Sequence, residues 1–250
     1  MRVVITGASR GIGRATALKL ASDGAEAMTL CDVAYLDELE ELATSLRTSG
    51  CKVRTLKADM AKPTEPAKVI AAAVKAMGGI DALVGNAGIT APSKLVDLDL
   101  ATWNRVFDIN LRANWLLAKA AHPHLKRSKG AIVMLASMAG VVPQLPTGAY
   151  SPTKAALINL AETLYIDLAP LGIGVSVVNP GFVETPLTAQ NTFRMPALIT
   201  PAQAAEAMLA GWAAGDFEMN FPKRFTLWLR AMRWLPDGLY FSAIRKATGL

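Results

Sequence analysis

The run Thr6-Gly7-Ala8-Ser9-Arg10-Gly11-Ile12-Gly13 has residue types and a spacing suited to holding a phosphate. It follows a short apolar segment and opens a helical pattern. Glycines at such a turn let the backbone fold tightly and let a pyrophosphate approach without meeting a Cβ. The helix behind them offers unpaired N–H groups and a partial positive charge. The spacing is G-x-x-x-G-x-G, not the commoner G-x-G-x-x-G. A ligand-free strand-to-helix turn has a similar composition, but a place at the head of the first βαβ unit favours nucleotide binding. Asp32 closes the second strand, where a carboxylate accepts hydrogen bonds from both adenosine ribose hydroxyls and repels a 2′-phosphate. This favours NAD. Arg10 argues the other way, because a guanidinium beside the loop suits that phosphate, so NADP stays open.

Positioning these groups requires strands that end where the loops begin. Short apolar runs predict strands over 3–6, 27–31, 53–57, 82–85, 131–136 and 175–179. Longer amphipathic stretches predict helices over 12–22, 36–48, 65–77, 110–126, 152–169 and 201–213. Strands separated by helices need crossover connections, which gives an α/β, doubly wound parallel sheet with helices on both faces. No repeat or linker interrupts it, so one domain is expected over 1–219, followed by a basic, aromatic helical extension over 220–250.

Composition fits this reading. The 250 residues are 52% apolar, with a mean hydropathy of +0.30. Central parallel strands are buried on both faces and raise such values without a membrane span, and no run approaches the ~20 apolar residues of a spanning helix. Met1 and Arg2 lead directly into the first strand, which leaves no room for a cleaved leader before the loop. Cys31 and Cys51 have neither metal-ligand spacing nor a disulfide pattern, and a reducing cytoplasm is the simplest compartment. The net charge of +6 is concentrated at the C-terminal end, where 220–250 carries six cations against Asp237. The rest of the chain gives no electrostatic reason to expect a nucleic acid.

The ordered set of motifs resembles the short-chain dehydrogenase/reductase family over residues 1–185. Thr6-Gly7-x-x-x-Gly11-x-Gly13 matches its cofactor loop, Asp59 before Met60 its adenine-side acid, and Asn86-Ala87-Gly88 the motif that closes the fourth strand. Pro180-Gly181, Val183 and Thr185 match the segment that wraps the nicotinamide, and Asn110, Ser137, Tyr150 and Lys154 the four catalytic positions. Many relatives have two asparagines before Ala-Gly, and the first is Gly85 here.

The resemblance implies a Rossmann-like, NAD(P)-dependent oxidoreductase that moves a hydride between nicotinamide and a small alcohol or carbonyl compound. Tyr150 would be the proton donor and acceptor. A free tyrosine, with a pKa near ~10, exchanges protons poorly at neutral pH. Lys154 lies one helical turn on, and its ammonium together with an oxidised nicotinamide would stabilise phenolate. Ser137 would hold the substrate oxygen, and Asn110 would support a water relay to Lys154. His122 and His124 flank Pro123 near a helix end, have no carboxylate nearby in sequence, and read as structural.

Substrate contacts are expected from 138–145 and 182–199, with Ser137, Gln144, Tyr150 and Phe182 as candidates. Apolar residues there, including Val141, Val142, Leu145, Leu187 and Phe193, favour a hydrophobic substrate.

In 223–235, Phe225, Trp228, Leu229 and Met232 recur at helical spacing while Lys223, Arg230 and Arg233 point away. That pattern suits an interfacial helix at the inner membrane surface, or a face that covers the core, the pocket or a neighbouring subunit. Relatives commonly form homodimers or homotetramers. Two other functional classes fit the same features: a non-catalytic NAD(P)-binding regulator, and a membrane-surface scaffold that uses the basic tail.

Overall fold

In the computed structural model, which describes residues 1–143, 147–191 and 195–248, the apolar runs pair as one parallel sheet. Its strands are β1 (Arg2–Thr6), β2 (Ala27–Asp32), β3 (Lys52–Lys57), β4 (Ala82–Gly85), β5 (Ala131–Leu135), β6 (Gly174–Pro180) and β7 (Glu218–Phe221), in the order β3-β2-β1-β4-β5-β6-β7. Val3, Val4 and Ile5 of central β1 are fully buried, as a strand covered on both faces requires.

One face is packed by α3 (Glu65–Met77), α5 (Ala113–Ser128) and α7 (Tyr150–Leu168), through Val69, Ile70, Leu117, Ala121 and Leu157. The other face is covered by α1 (Gly11–Ser22), α2 (Leu36–Thr48) and α8 (Pro201–Ala213), through Leu20, Leu39, Leu42 and Met208. The chain winds outward from β1 to β3, then crosses back to lay β4 beside β1. The loops after β1 and β4 therefore diverge and open the crevice in which such sheets bind ligands.

Three elements differ from the sequence expectation. β7 was not anticipated, because its four residues Glu-Met-Asn-Phe alternate polar and apolar with no long run. The boundary expected after residue 219 therefore falls inside a strand. The helix expected over 110–126 is the last part of a longer rod: α4 (Leu100–Phe107), a π-helical turn (Asp108–Arg112), then α5. Asp99 starts α4 by accepting the Thr102 N–H at 2.8 Å.

The extension forms α9 (Lys223–Met232) and α10 (Asp237–Thr248). Its inward face is Phe225, Thr226, Leu229 and Met232, whereas Trp228, expected on the same face as Phe225, Leu229 and Met232, is 54% exposed. Thr226 can take the inner position because its hydroxyl is satisfied by the Pro222 and Lys223 carbonyls. Arg230, expected to point away, pairs with Glu218 of β7 at 2.5 Å.

Candidate active site

The crevice is held together across the sheet's switch point. Asn86 Nδ2 donates to the carbonyls of Thr6 (2.9 Å) and Gly7 (2.8 Å), while the Thr6 hydroxyl accepts the N–H groups of Asn86 and Ala87. Gly7 (φ +63°) and Gly11 (φ +53°) adopt left-handed backbone. No side chain caps the N-terminus of α1, so its first amides remain available to an anion.

Gly13 does not reach the crevice. It lets α1 pack on the loop, because a Cβ there would lie 2.3 Å from the Gly7 carbonyl oxygen and 2.6 Å from Asn86 Nδ2. Gly13→Ala is expected to lower nucleotide affinity about tenfold and unfolding free energy by about 2 kcal/mol, read by calorimetric titration and denaturant melts. Unchanged affinity would mean that the loop tolerates the shift.

Asp32 Oδ2 accepts the Ser9 N–H at 3.2 Å, and Oδ1 accepts those of Val33 (2.8 Å) and Ala34 (3.4 Å). Ser9 itself is fully buried and lies behind the crevice wall. Arg10 is drawn to α2: it pairs with Glu38, and its guanidinium carbon sits 3.4 Å from the centroid of the Tyr35 ring. The Arg10 hydrogen bond in turn holds the Glu38 carboxyl below its ordinary pKa. The sequence reading missed both partners, which lie 25 and 28 residues away on another element. Asp59 accepts the Ala61 N–H at 3.0 Å and faces Arg105 at 3.8 Å.

At the far end of the crevice, Tyr150 begins α7, and Lys154 Nζ lies 5.5 Å from its ring centroid. Lys154 is 3% exposed and donates to the Leu135 carbonyl at 2.6 Å. Burial pulls its pKa down to about 8. Burial also pushes the Tyr150 phenol up, partly offset by its hydrogen bond with Ser137. The phenol thus titrates above its ordinary range in the protein by itself, because burial outweighs the Ser137 hydrogen bond. Ser137 lies two residues beyond β5 and caps the short helix α6 (Met138–Val141), accepting the Ala139 N–H at 3.1 Å.

Asn110 is fully buried in the π turn and does not reach the crevice. Its amide clamps Ile89, accepting from the Ile89 N–H and donating to its carbonyl, both at 2.9 Å, and also reaches Thr153 Oγ1 at 3.1 Å. Gly85 leaves room for another amide: a Cβ on Gly85 would lie 2.1 Å from Asn114 Oδ1, and Asn114 Nδ2 donates to the Asn110 carbonyl at 2.9 Å.

A single cavity brings together Gly7, Arg10, Gly11, Ile12, Asp32, Asp59, Met60, Asn86, Ala87, Gly88, Ser137, Tyr150, Lys154, Pro180, Gly181, Val183 and Thr185. Pro186, Leu187 and Thr188, within the segment expected to contact substrate, also line it; Tyr35, Ile89, Thr90 and Arg105 line it too and had no sequence signal. Phe182 is turned away, its ring 5.8 Å from that of Phe225. Val142 packs under the tail with Leu229 and Met232. Gln144, Leu145 and Phe193 lie outside the described residues. Cys31 lines the floor, but burial raises its thiol to about 12, which makes it a poor nucleophile. His124 lies on α5 with Nδ1 2.6 Å from Arg127 and is not part of the cavity lining.

A glycine cradle with free helix amides at one end, and a phenol, a hydroxyl and an ammonium at the other, fits a dinucleotide laid across the switch point. This architecture defines a nicotinamide-dependent oxidoreductase. The short chain dehydrogenase family model matches residues 1–195, and the chain belongs to that family.

A cis-4-hydroxycyclohexanecarboxylate dehydrogenase of Sinomonas cyclohexanicum is 38% identical over 74% of this chain and 74% of its own. A short chain dehydrogenase/reductase from Burkholderia phymatum in complex with NAD superposes with a TM-score of 0.84 at 26% identity, covering 92% of this chain and 91% of that one. A short chain dehydrogenase from Burkholderia cenocepacia in complex with NADP gives a TM-score of 0.79 at 29% identity, covering 88% and 95%.

Proposed function

We propose that the chain is an NAD-preferring dehydrogenase/reductase of lipophilic secondary alcohols or their ketones, with Tyr150 exchanging the proton. The observation that carries this reading is the single cavity in which Tyr150, Ser137 and Lys154 meet the glycine loop. When bound, the nicotinamide supplies or accepts the hydride and, in its oxidised form, adds a positive charge beside the phenol. Ser137 hydrogen-bonds the phenol and stands where it can also hold the substrate oxygen. Lys154, fixed by Leu135, faces the tyrosine ring and favours phenolate. Asn110 clamps Ile89 and so shapes the wall opposite.

The preference for NAD rests on Asp32 at the ribose position and on Arg10 being committed to Glu38 and Tyr35. A 2′-phosphate would meet the carboxylate while the nearest guanidinium is already engaged. The lipophilic substrate class rests on Pro186, Leu187 and Ile89 in the lining. The Sinomonas relative is named for a substrate with a hydroxy group on a cyclohexane ring.

The test is a panel of ketones and alcohols assayed with both cofactors by the absorbance of the reduced nicotinamide. Expected is a kcat/KM for NAD(H) at least about tenfold above that for NADP(H), and higher values for cyclic or long-chain ketones than for small polar ones. A preference for NADP(H), or for the polar set, would overturn the corresponding half of the reading.

A further inference from the structure

The tail turns one face to the protein and exposes large apolar side chains on the other. Inward, Leu229, Met232, Tyr240 and Ile244 close over Met138 and Val142, and Phe225 rests on Phe182 and against Gly181. Outward, Leu227 (62% exposed), Trp228 (54%), Trp234 (91%), Leu239 (61%) and Phe241 (55%) stand in solvent within a short stretch. Single exposed apolar side chains are ordinary; five large ones so close together, two of them tryptophan, mark a contact surface.

Their setting is basic. Lys223 and Arg224 are exposed, Arg224 lies one helical turn from Trp228, and Arg233 sits 5.3 Å from the Tyr240 ring centroid. The segment 220–250 carries a net +5, nearly the whole +6 of the chain.

We infer that the outer face of α9 and α10 docks on a bilayer surface bearing anionic lipid headgroups. Tryptophan has an apolar body and a polar N–H that suit the headgroup level, and the cations supply attraction that a neutral surface would not return. A second copy of this face is the poorer occupant, since it would set Lys223, Arg224 and Arg233 against their own copies. No helix among the described residues is long and apolar enough to cross a membrane, so the contact is peripheral. Phe225 of α9 forms part of the wall beside Gly181, which lines the cavity. Docking therefore brings the cavity rim within roughly one helix diameter, about 10 Å, of the lipid.

The test is co-sedimentation of the full-length protein with vesicles of phosphatidylcholine, with and without phosphatidylglycerol. Expected is binding to the anionic vesicles, weak binding to the neutral ones, and release in high salt. The double variant Trp228→Ser/Trp234→Ser should lower partitioning roughly tenfold, and Arg224→Glu severalfold. Both should keep wild-type circular dichroism and wild-type kcat/KM on a water-soluble substrate. Absence of pelleting, or equal pelleting of wild type and both variants, overturns the inference. So does light scattering in which the tryptophan variant dissociates a wild-type oligomer without altering vesicle binding, since that assigns the face to a second copy. Sedimentation reads no turnover, so failure of the cofactor or substrate reading leaves this result unaffected.

Discussion

Tyr150→Phe is expected to lower kcat by about a thousandfold while leaving the fold and nucleotide affinity intact. The substitution removes one hydroxyl from a ring whose packing a phenylalanine reproduces. The loss should therefore appear in kcat, with the dissociation constant for the nucleotide unchanged in a fluorescence titration. Alcohol oxidation needs the phenolate, so the wild-type rate should rise with pH to a plateau. Burial holds the phenol above its ordinary pKa in the protein alone, and Lys154 with an oxidised nicotinamide would bring it down. The variant should lose this rise along with its activity. Retention of more than about a tenth of wild-type kcat would remove the phenol from the reaction.

Lys154→Met is expected to cost activity to a similar degree yet make the protein more stable. Lys154 is buried, and among the described residues no carboxylate pairs with it. Its pKa falls from 10.5 to about 8 because burial disfavours the ammonium. A depression of that size corresponds to about 3 kcal/mol of unfavourable charge burial at neutral pH. Methionine fills similar space without the charge but forfeits the hydrogen bond to the Leu135 carbonyl, so a net gain of about 2 kcal/mol at pH 7 is expected.

The sign of the pH dependence follows from proton binding. Between about pH 8 and 10.5 the unfolded chain holds a proton on this lysine that the folded chain has released, so wild-type stability rises with pH across that window. Below pH 8 both states are charged and the penalty is constant. The variant's advantage should therefore shrink above pH 8, as measured by urea denaturation at a series of pH values. Parallel pH profiles for the two proteins would place the lysine's titration outside the folding equilibrium.

Much of the architecture was readable because its signals are local. The glycine loop and Asn86-Ala87-Gly88 each follow an apolar run, Tyr150 and Lys154 sit one turn apart on one helix, and a run buried on both faces reads as a strand without any tertiary knowledge. What escaped was set by contacts between distant residues. Arg10 read as a candidate phosphate ligand, yet Glu38 and Tyr35, brought close by the β1–β2 pairing, engage it. β7 has too few apolar residues to announce itself, and it exists because β6 offers it an edge. The periodicity of α9 placed Leu229 and Met232 correctly but misplaced Trp228, since a buried threonine with internal hydrogen bonds occupies the inward position. Phe182 looked like a pocket residue until Phe225 supplied a closer partner.

The neighbourhood of Gly85 and Asn114 constrains the order in which this sequence could change. Placing asparagine at 85, as many relatives have it, meets an oxygen standing 2.1 Å from the new Cβ, so the Asn114 side chain must swing aside or be replaced. Removing that amide alone abandons the hydrogen bond to the Asn110 carbonyl inside the π turn. The two sites are therefore coupled: what position 85 tolerates depends on where the residue at 114 places its side chain.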